Sequence, residues 1–205
     1  KVVVLLIDNI RYDQWRALSP LFSELFSIVR DELYFSILPT ATMYARNSIF
    51  AGLMPADIKK IYPALWEEDD NEEGGKNNFE EDLLRKQMTR SGRREKLYFE
   101  KVTTANPSRK SIDSLGQILQ SDLAVYVINF VDMISHARTE MNMIKELAAN
   151  ESAYRSLTIS WFQHSGLIDL LRELAANGRE LVLTTDHGTI RVNNPVRVIG
   201  ERTTN

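Results

Sequence analysis

The chain has 205 residues, of which 43% are hydrophobic and 26% charged, and its formal net charge at pH 7 is −3. This length suffices for one sizeable hydrophobic core but not for two comfortable domains, so a single globular domain is expected over residues 1–205. The small net charge excludes a surface that attracts polyanions as a whole. Any phosphate-bearing substrate must therefore be bound locally.

The sequence contains no Cys, which excludes disulfides, thiolate zinc sites and cysteine nucleophiles. No apolar run approaches the roughly 20 residues of a membrane helix, and no signal-peptide pattern is present. We therefore expect a soluble, cytoplasmic protein with no membrane partner. The chain opens with a β-rich run and stops without a capped element, and this predicts a fragment of a longer protein.

In the first part of the chain, strand-like runs alternate with helical patterns. A strand is predicted over residues 2–7 and an amphipathic helix over residues 12–26. A second strand is predicted over residues 33–38. The helix predicted over residues 43–51 ends at Gly52, as helix C-termini often do.

The segment 66–95 interrupts this alternation. It contains an acidic run over residues 67–73, two glycines, and a basic stretch made of Arg85, Lys86, Arg90, Arg93, Arg94 and Lys96. We interpret it as an insertion with a mobile acidic loop, a helix around residues 79–88 and a basic turn. The basic stretch would suit a nucleic-acid strand, although an exposed mixed loop is the more frequent explanation.

The alternation then resumes. The predicted elements are a strand over 97–102, a helix over 111–119, a strand over 124–131, a long helical pattern over 139–177 with breaks near Asn150 and Gly166, and a strand over 180–185. Strands that alternate with helices predict an α/β fold with a mainly parallel central sheet and helices on both faces.

Three of the β-rich runs lead directly to carboxylates or imidazoles. Asp8 follows the first run, Asp132 and His136 follow the run at 124–131, and Asp186 and His187 follow the last. Open α/β sheets place their chemistry at the carboxyl ends of their strands. Oxygen and nitrogen ligands without thiolates suit Zn²⁺ or Mn²⁺, so the pattern predicts a two-metal hydrolytic site.

Each of these residues also has a plain structural explanation. Asp8 would serve as the N-cap of the next helix. Asp132 and His136 would be a turn aspartate and a surface histidine. Because the groups occur together at three separate strand ends, the metal-site interpretation is favoured over three coincidences.

Thr42 is the best candidate for a nucleophile. It lies where a predicted strand gives way to a helix, so its hydroxyl would sit at a positive helix N-terminus beside a metal. The alternatives are that Thr42 is only an N-cap, or that Thr40 takes its place. Arg46 and Asn47, one turn later, would contact phosphate oxygens or would be ordinary surface residues.

These residues resemble the alkaline phosphatase superfamily in their order along the chain. The matching features are Asp8, the Pro39-Thr-Ala-Thr-Met to Gly52-Leu-Met-Pro55 segment, Asp132-x-x-x-His136 and Thr185-Asp-His-Gly188. The spacing within the second segment resembles the nucleotide pyrophosphatase/phosphodiesterase branch.

A closer resemblance is to a PglZ domain. It is carried by Ile7-Asp-Asn-Ile-Arg-Tyr-Asp-Gln-Trp15, Phe130-Val-Asp-Met-Ile-Ser-His-Ala-Arg-Thr-Glu140 and Thr184-Thr-Asp-His-Gly-Thr-Ile-Arg191. The sequence is most similar to the C-terminal effector domain of PorX-type response regulators of the type IX secretion system. This likeness covers nearly the whole chain.

The resemblance implies an alkaline-phosphatase-like three-layer sandwich with two zinc ions. One zinc would be surrounded by Asp8, Thr42, Asp186 and His187, and the other would be held by Asp132 and His136. Thr42 would be the nucleophile that is transiently esterified. In the family a further His after the Asp-His-Gly motif completes the second set, but no His follows His187 in this chain.

The function implied is a zinc-dependent phosphodiesterase acting on nucleotide or oligonucleotide phosphodiesters. It would be the output domain of a two-component response regulator that controls secretion. The resemblance also implies an upstream receiver domain, protein partners in secretion regulation and a homodimer. The alternatives are a non-catalytic docking module with a structural metal site, and a phosphomonoesterase or phosphomutase on the same fold.

Overall fold

The computed structural model describes residues 1–66, 77–102, 114–190, 192–194 and 196. Its strands are β1 (Val2–Ile7), β2 (Leu97–Val102), β3 (Leu123–Ile128) and β4 (Glu180–Thr184). Its α-helices are α1 (Tyr12–Ser23), α2 (Thr42–Ala51), α3 (Pro55–Ile61), α4 (Glu80–Arg90), α5 (Leu115–Gln120), α6 (Phe130–Glu140), α7 (Asn142–Leu147), α8 (Glu151–His164) and α9 (Gly166–Ala176). A short 3-10 helix spans Pro63–Leu65. Within these residues, no helix has both the length and the apolar character needed to cross a membrane.

The chain forms two compact units. The sheet unit comprises Lys1–Tyr34 and Glu95–Thr185, and the helical unit comprises Phe35–Arg94 and Asp186–Asn205. The sheet unit contains all the strands just named, whereas α2, α3 and α4 belong to the helical unit. That residues 1–205 are a single domain with an insertion at 66–95 stays a prediction.

The four described strands form one parallel sheet in the order β2-β3-β1-β4. The two central strands, β1 and β3, are almost continuously apolar, as expected for strands that are buried on both faces. Val3, Leu5, Ile7, Tyr126 and Ile128 point to one face and belong to the main core. Leu6, Val125 and Val127 point to the other face and are buried as well. The predicted α/β fold with a parallel sheet is confirmed.

Helices α1 and α8 pack in the sheet unit through apolar side chains. The rings of Phe22 and Phe162 lie 6.2 Å apart, and Leu18 is fully buried. The start of α1 is stabilised by Gln14, whose side chain accepts a hydrogen bond of 3.0 Å from the backbone N–H of Arg11. The helix predicted over 12–26 is therefore confirmed, and it ends three residues earlier, at Ser23.

The long helical pattern predicted over 139–177 is divided at both predicted breaks, and also at Met141, between α6 and α7, where no break was predicted. Asn150 is the N-cap of α8, and its side chain accepts a 2.9 Å hydrogen bond from the backbone N–H of Ala153. Helix α9 begins at Gly166. After it, Gly178 adopts a positive φ of 63°, which glycine tolerates at helix ends.

The strand predicted over residues 33–38 is wrong. This stretch has no strand, and the side chains of Leu33, Phe35 and Leu38 are 71%, 103% and 87% exposed. A β-rich run becomes a strand only where a neighbouring strand supplies hydrogen bonds and one of its faces is buried. The local pattern does not contain that information.

The strand predicted over 124–131 extends too far at its end. β3 stops at Ile128, and Val131 and Asp132 lie in the first turn of α6. Asp132 is therefore presented by a helix N-terminus and not by a strand. The helix predicted over 111–119 is observed as α5, Leu115–Gln120, while residues 111–113 lie outside the described part of the chain.

In the helical unit, α4 packs against α2. The Arg46 Nε of α2 donates to Glu80 of α4, and both side chains are 2% exposed. Gly52, at the C-cap of α2, has a φ of 59°, and a Cβ there would lie 2.5 Å from the Gln87 side chain of α4. The helix predicted around 79–88 is confirmed, and the segment interpreted as an insertion supplies a buried partner for α2.

The acidic run at 67–73 lies outside the described residues. Part of the basic stretch has local partners. Arg85 pairs with Glu81 within α4, and Arg90 donates to the carbonyl of Ala51 and to the hydroxyl of Tyr62. For Arg85 and Arg90, these contacts favour a role within the unit.

Candidate metal centre

Asp8 lies immediately after β1 in the sheet unit. Its backbone N–H donates to the carbonyl of Ile128 at 2.9 Å, which continues the pairing with β3 by one residue. The Asp8 residue is only 2% exposed. A carboxylate is thus held at the carboxyl edge of the sheet, away from bulk solvent.

Asp132 reaches the same edge from α6. One of its carboxylate oxygens lies within 4.8 Å of a carboxylate oxygen of Asp8. Two negatively charged carboxylates repel each other, and the repulsion is stronger here because Asp8 is buried in a region of low dielectric constant. A cation between them would offset that repulsion. The pair therefore fits a divalent metal.

His136 lies one turn after Asp132 on α6. Its Nε2 is 3.5 Å from Asp132 Oδ2, and the His136 side chain is 68% exposed. The two groups are therefore neighbours on α6, and their convergence on one ion stays a prediction. The third histidine, His164, ends α8 on the surface, where its Nδ1 lies 2.7 Å from the carbonyl of Ser160.

Asp186 and His187 follow β4 and belong to the helical unit. They are 0% and 9% exposed. The His187 Nδ1 lies 3.1 Å from Asp186 Oδ1, and the same oxygen accepts the His187 backbone N–H at 3.0 Å. The Asp186 carboxylate therefore lies directly against the His187 imidazole and backbone, and their binding of a metal stays a prediction.

Thr42 is the first residue of α2, and the N-cap is Ala41. The alternative that Thr42 is the N-cap is not what the structure shows. The Thr42 side chain is half-buried, whereas Thr40 precedes the helix and is exposed. A hydroxyl at this position experiences the positive end of the helix dipole.

Arg46 and Asn47 are both buried, at 2% and 3% exposure. The alternative that they are ordinary surface residues is therefore wrong. The Nε of Arg46 donates to Glu80. Substrate binding by these two residues stays a prediction.

The whole sequence matches one known protein family. The family model described as the BREX system PglZ alkaline phosphatase-like domain matches residues 1–205. The chain belongs to the PglZ family. No curated protein matches the chain.

Family membership agrees with the observed parallel sheet and indicates a phosphoesterase-type hydrolase. Proteins with an alkaline-phosphatase-like domain usually bind metal, which agrees with the carboxylate pair of the PglZ domain. The likeness to PorX-type response regulators, with its receiver domain, secretion partners and homodimer, stays a prediction from the sequence.

The PglZ domain also contains an ion-pair network at the start of α1. Arg11 donates to both oxygens of Asp13, at 2.9 and 2.7 Å, and Arg155 donates to Asp13 Oδ2 at 2.9 Å. Arg11 also pairs with Glu151, which accepts a further hydrogen bond from Arg138 at 3.1 Å. The network connects the start of α1 to α6 and α8.

The network changes the acidity of its carboxyl groups. Partial burial raises the pKa of Asp13, but the hydrogen bonds from Arg11 and Arg155 outweigh this effect and leave the pKa below its usual value. For Glu151 the opposing effects are burial and the hydrogen bonds from Arg11 and Arg138, and its pKa is also lowered. Both groups therefore favour their charged forms in the folded protein.

This shift predicts a pH dependence of stability. A carboxyl group whose folded-state pKa is lowered stabilises the fold above its unfolded-state pKa, about 4, and this stabilisation is lost as the pH falls through the folded-state value. We expect Asp13→Asn to be less stable than the wild type at pH 7, and the difference to be smaller at pH 3. Urea unfolding midpoints at the two pH values measure the difference.

The matched control is Asp169→Asn. Asp169 pairs with Arg172, but their side chains are 56% and 60% exposed, so this change is expected to have little effect at either pH. A stability difference for Asp13→Asn that is equally large at pH 3 and pH 7 would contradict the prediction.

Sequence reasoning missed several residues that support the candidate site. Asn9 donates to Asp132, Tyr154 donates to the carbonyl of Val131 at 3.0 Å, and Glu80 pairs with Arg46. Of these residues, only Asn9 could have been singled out from the sequence, because an Asp-Asn pair at a strand end is typical of a turn. The other partners are distant in sequence and have no local pattern.

Proposed function

We propose that this PglZ domain is a zinc-dependent phosphodiesterase that cleaves nucleotide or oligonucleotide phosphodiesters, with Thr42 as its nucleophile. The observation that carries the proposal is the Asp8–Asp132 pair, whose carboxylate oxygens lie within 4.8 Å of one another. A hydrolase of phosphoric esters has a direct use for a divalent cation at that point.

The proposed ligands are oxygen and nitrogen donors without thiolates, a set that suits zinc and would also accept manganese. Asp8 and Asp132 each offer one carboxylate oxygen. The full proposed set for two ions is Asp8, Thr42, Asp132, His136, Asp186 and His187. Solvent would complete the set on the side of the exposed His136.

When bound, zinc supplies a Lewis acid that polarises the phosphoryl group and lowers the pKa of a coordinated hydroxyl. The Thr42 hydroxyl gives its proton to solvent, and its oxygen attacks phosphorus in line with the leaving group. The bond from phosphorus to the leaving oxygen breaks, and that oxygen takes a proton from water. A water molecule then hydrolyses the phosphothreonine ester and restores the Thr42 hydroxyl.

The remaining residues of α2 position the substrate. Thr42 lies at the helix N-terminus, where the backbone favours the negative charge that develops on the attacked group. Arg46, one turn further on, would direct its terminal amino groups to a non-bridging phosphate oxygen, while Glu80 holds its Nε. The preference for diesters rests on the resemblance of residues 39–55 to the phosphodiesterase branch.

The test is metal analysis combined with an assay. Protein prepared without chelator is expected to contain about two zinc ions per chain and to hydrolyse bis-p-nitrophenyl phosphate. Turnover should disappear on chelation and return when zinc is added.

The other outcomes separate the alternatives. Hydrolysis of p-nitrophenyl phosphate alone would make the domain a phosphomonoesterase. Bound zinc without turnover on either ester would favour a docking module with a structural metal. Protein that binds no metal would contradict the proposal.

A further inference from the structure

Asn9 occupies a position where the backbone favours glycine. The backbone N–H of Ile10 donates to the carbonyl of Ile7 at 3.4 Å, so residues 7–10 form a turn with Asn9 in third place. Asn9 has a φ of 60°. Glycine adopts this left-handed conformation without steric cost, and asparagine is the residue that tolerates it next best.

The side chain of Asn9 has a partner at the candidate metal centre. Its Nδ2 donates a 3.0 Å hydrogen bond to Asp132 Oδ1, although the two residues are separated by 123 positions. Asn9 is 2% exposed. Glycine would be sufficient for the turn itself. The buried amide of Asn9 therefore needs a different explanation, and its contact with Asp132 provides one.

The contact fixes the plane of the Asp132 carboxylate. One oxygen accepts from Asn9, and the other lies 3.5 Å from His136 Nε2. An amide is a neutral donor, so it holds the carboxylate without adding a charge that competes with a cation. Hydrogen bonds of this kind orient metal ligands, and their loss typically weakens metal binding 10- to 100-fold.

We propose that Asn9 is a positioning residue that holds the Asp132 carboxylate in the orientation required for metal binding. The proposal rests on the proposed function in one respect, namely that Asp132 is a metal ligand. The hydrogen bond itself can be tested without metal.

The decisive variant is Asn9→Gly, because glycine keeps the turn and removes only the amide. We expect its zinc affinity to be about 10- to 100-fold weaker than that of the wild type, and the metal-free protein to lose only the stability that the Asn9–Asp132 hydrogen bond contributes. Asn9→Ala should lose affinity and melt earlier still, because alanine is strained at positive φ. Competition with a zinc-binding dye measures the affinities.

The matched control is Asn177→Gly. Asn177 is exposed at the C-cap of α9, and its amide donates to the carbonyl of Glu173 at 2.8 Å. Its replacement removes a local amide contact of the same kind and should leave the zinc affinity unchanged. If zinc binds and Asn9→Gly also keeps the wild-type affinity, Asn9 is only a turn residue and the proposal is wrong.

A double-mutant cycle separates this proposal from the proposed function. In metal-free protein, Asn9→Gly and Asp132→Ala should shift the urea midpoint together by less than the sum of their separate shifts. If the wild type binds no zinc, the proposed function fails, and the cycle alone decides on Asn9. Coupled shifts then support the positioning contact, and additive shifts overturn it.

Discussion

Replacing Thr42 with Ala is expected to lower the rate of phosphodiester hydrolysis by about 10³-fold or more, while the fold and the zinc content are kept. Thr42 begins α2 but is not its N-cap, which is Ala41. The loss of its hydroxyl therefore removes the attacking oxygen without removing a capping hydrogen bond. Steady-state rates on bis-p-nitrophenyl phosphate, with zinc measured on the same samples, test the expectation.

Two further variants make this result specific. Thr42→Ser keeps a hydroxyl at the same place and should retain a measurable part of the activity. Thr40→Ala changes an exposed residue outside the helix and should hydrolyse at the wild-type rate. Unchanged hydrolysis by a zinc-loaded Thr42→Ala protein would rule out Thr42 as the nucleophile.

The largest effect on stability is expected at Glu80. Replacement by Ala removes the carboxylate that pairs with Arg46 inside the helical unit, where both side chains are 2% exposed. Removing one partner of a buried ion pair typically costs about 3–5 kcal/mol, because the other charge has lost both water and its counter-ion. The free energy of unfolding in urea should fall by this order.

A double variant and a surface control accompany this measurement. Arg46→Met combined with Glu80→Leu removes both charges and should be more stable than Glu80→Ala alone. Arg85→Met breaks the exposed pair with Glu81 on the same helix and should change stability by less than about 1 kcal/mol. Equal losses for Glu80→Ala and Arg85→Met would show that burial of the pair contributes nothing.

The α2–α4 contact also changes how the segment at 66–95 is understood. Its composition, with an acidic run and glycines, suggested an insertion. The structure places its helix against α2, which carries Thr42, through Glu80, Gln87 and Arg90. A change in α4 is therefore expected to affect the helix that carries the proposed nucleophile, although no residue of α4 was a candidate for catalysis.

The elements that could be predicted are those specified by local chemistry. Runs such as 2–7 and 97–102 are strands as expected, and Asn150 and Gly166 divide the helices where capping preferences place the breaks. The prediction of a strand at 33–38 was wrong because strand pairing depends on a partner elsewhere in the chain. The predicted end of β3 was wrong because the apolar run continues without a break into the first turn of α6.

Candidate ligands could be named from the sequence, since carboxylates and imidazoles directly after β-rich runs form a pattern visible along one chain. They are Asp8, Asp132, His136, Asp186 and His187, and their binding of a metal stays a prediction. The sequence by itself thus determined the fold class, the family resemblance and the candidate ligands. Only the tertiary structure decided that Asp8 and Asp132 approach within 4.8 Å, that Asn9 holds Asp132, and that Arg46 is buried against Glu80. Such contacts join residues that are far apart in the chain, and their energies depend on burial and distance, which no local pattern of residues records.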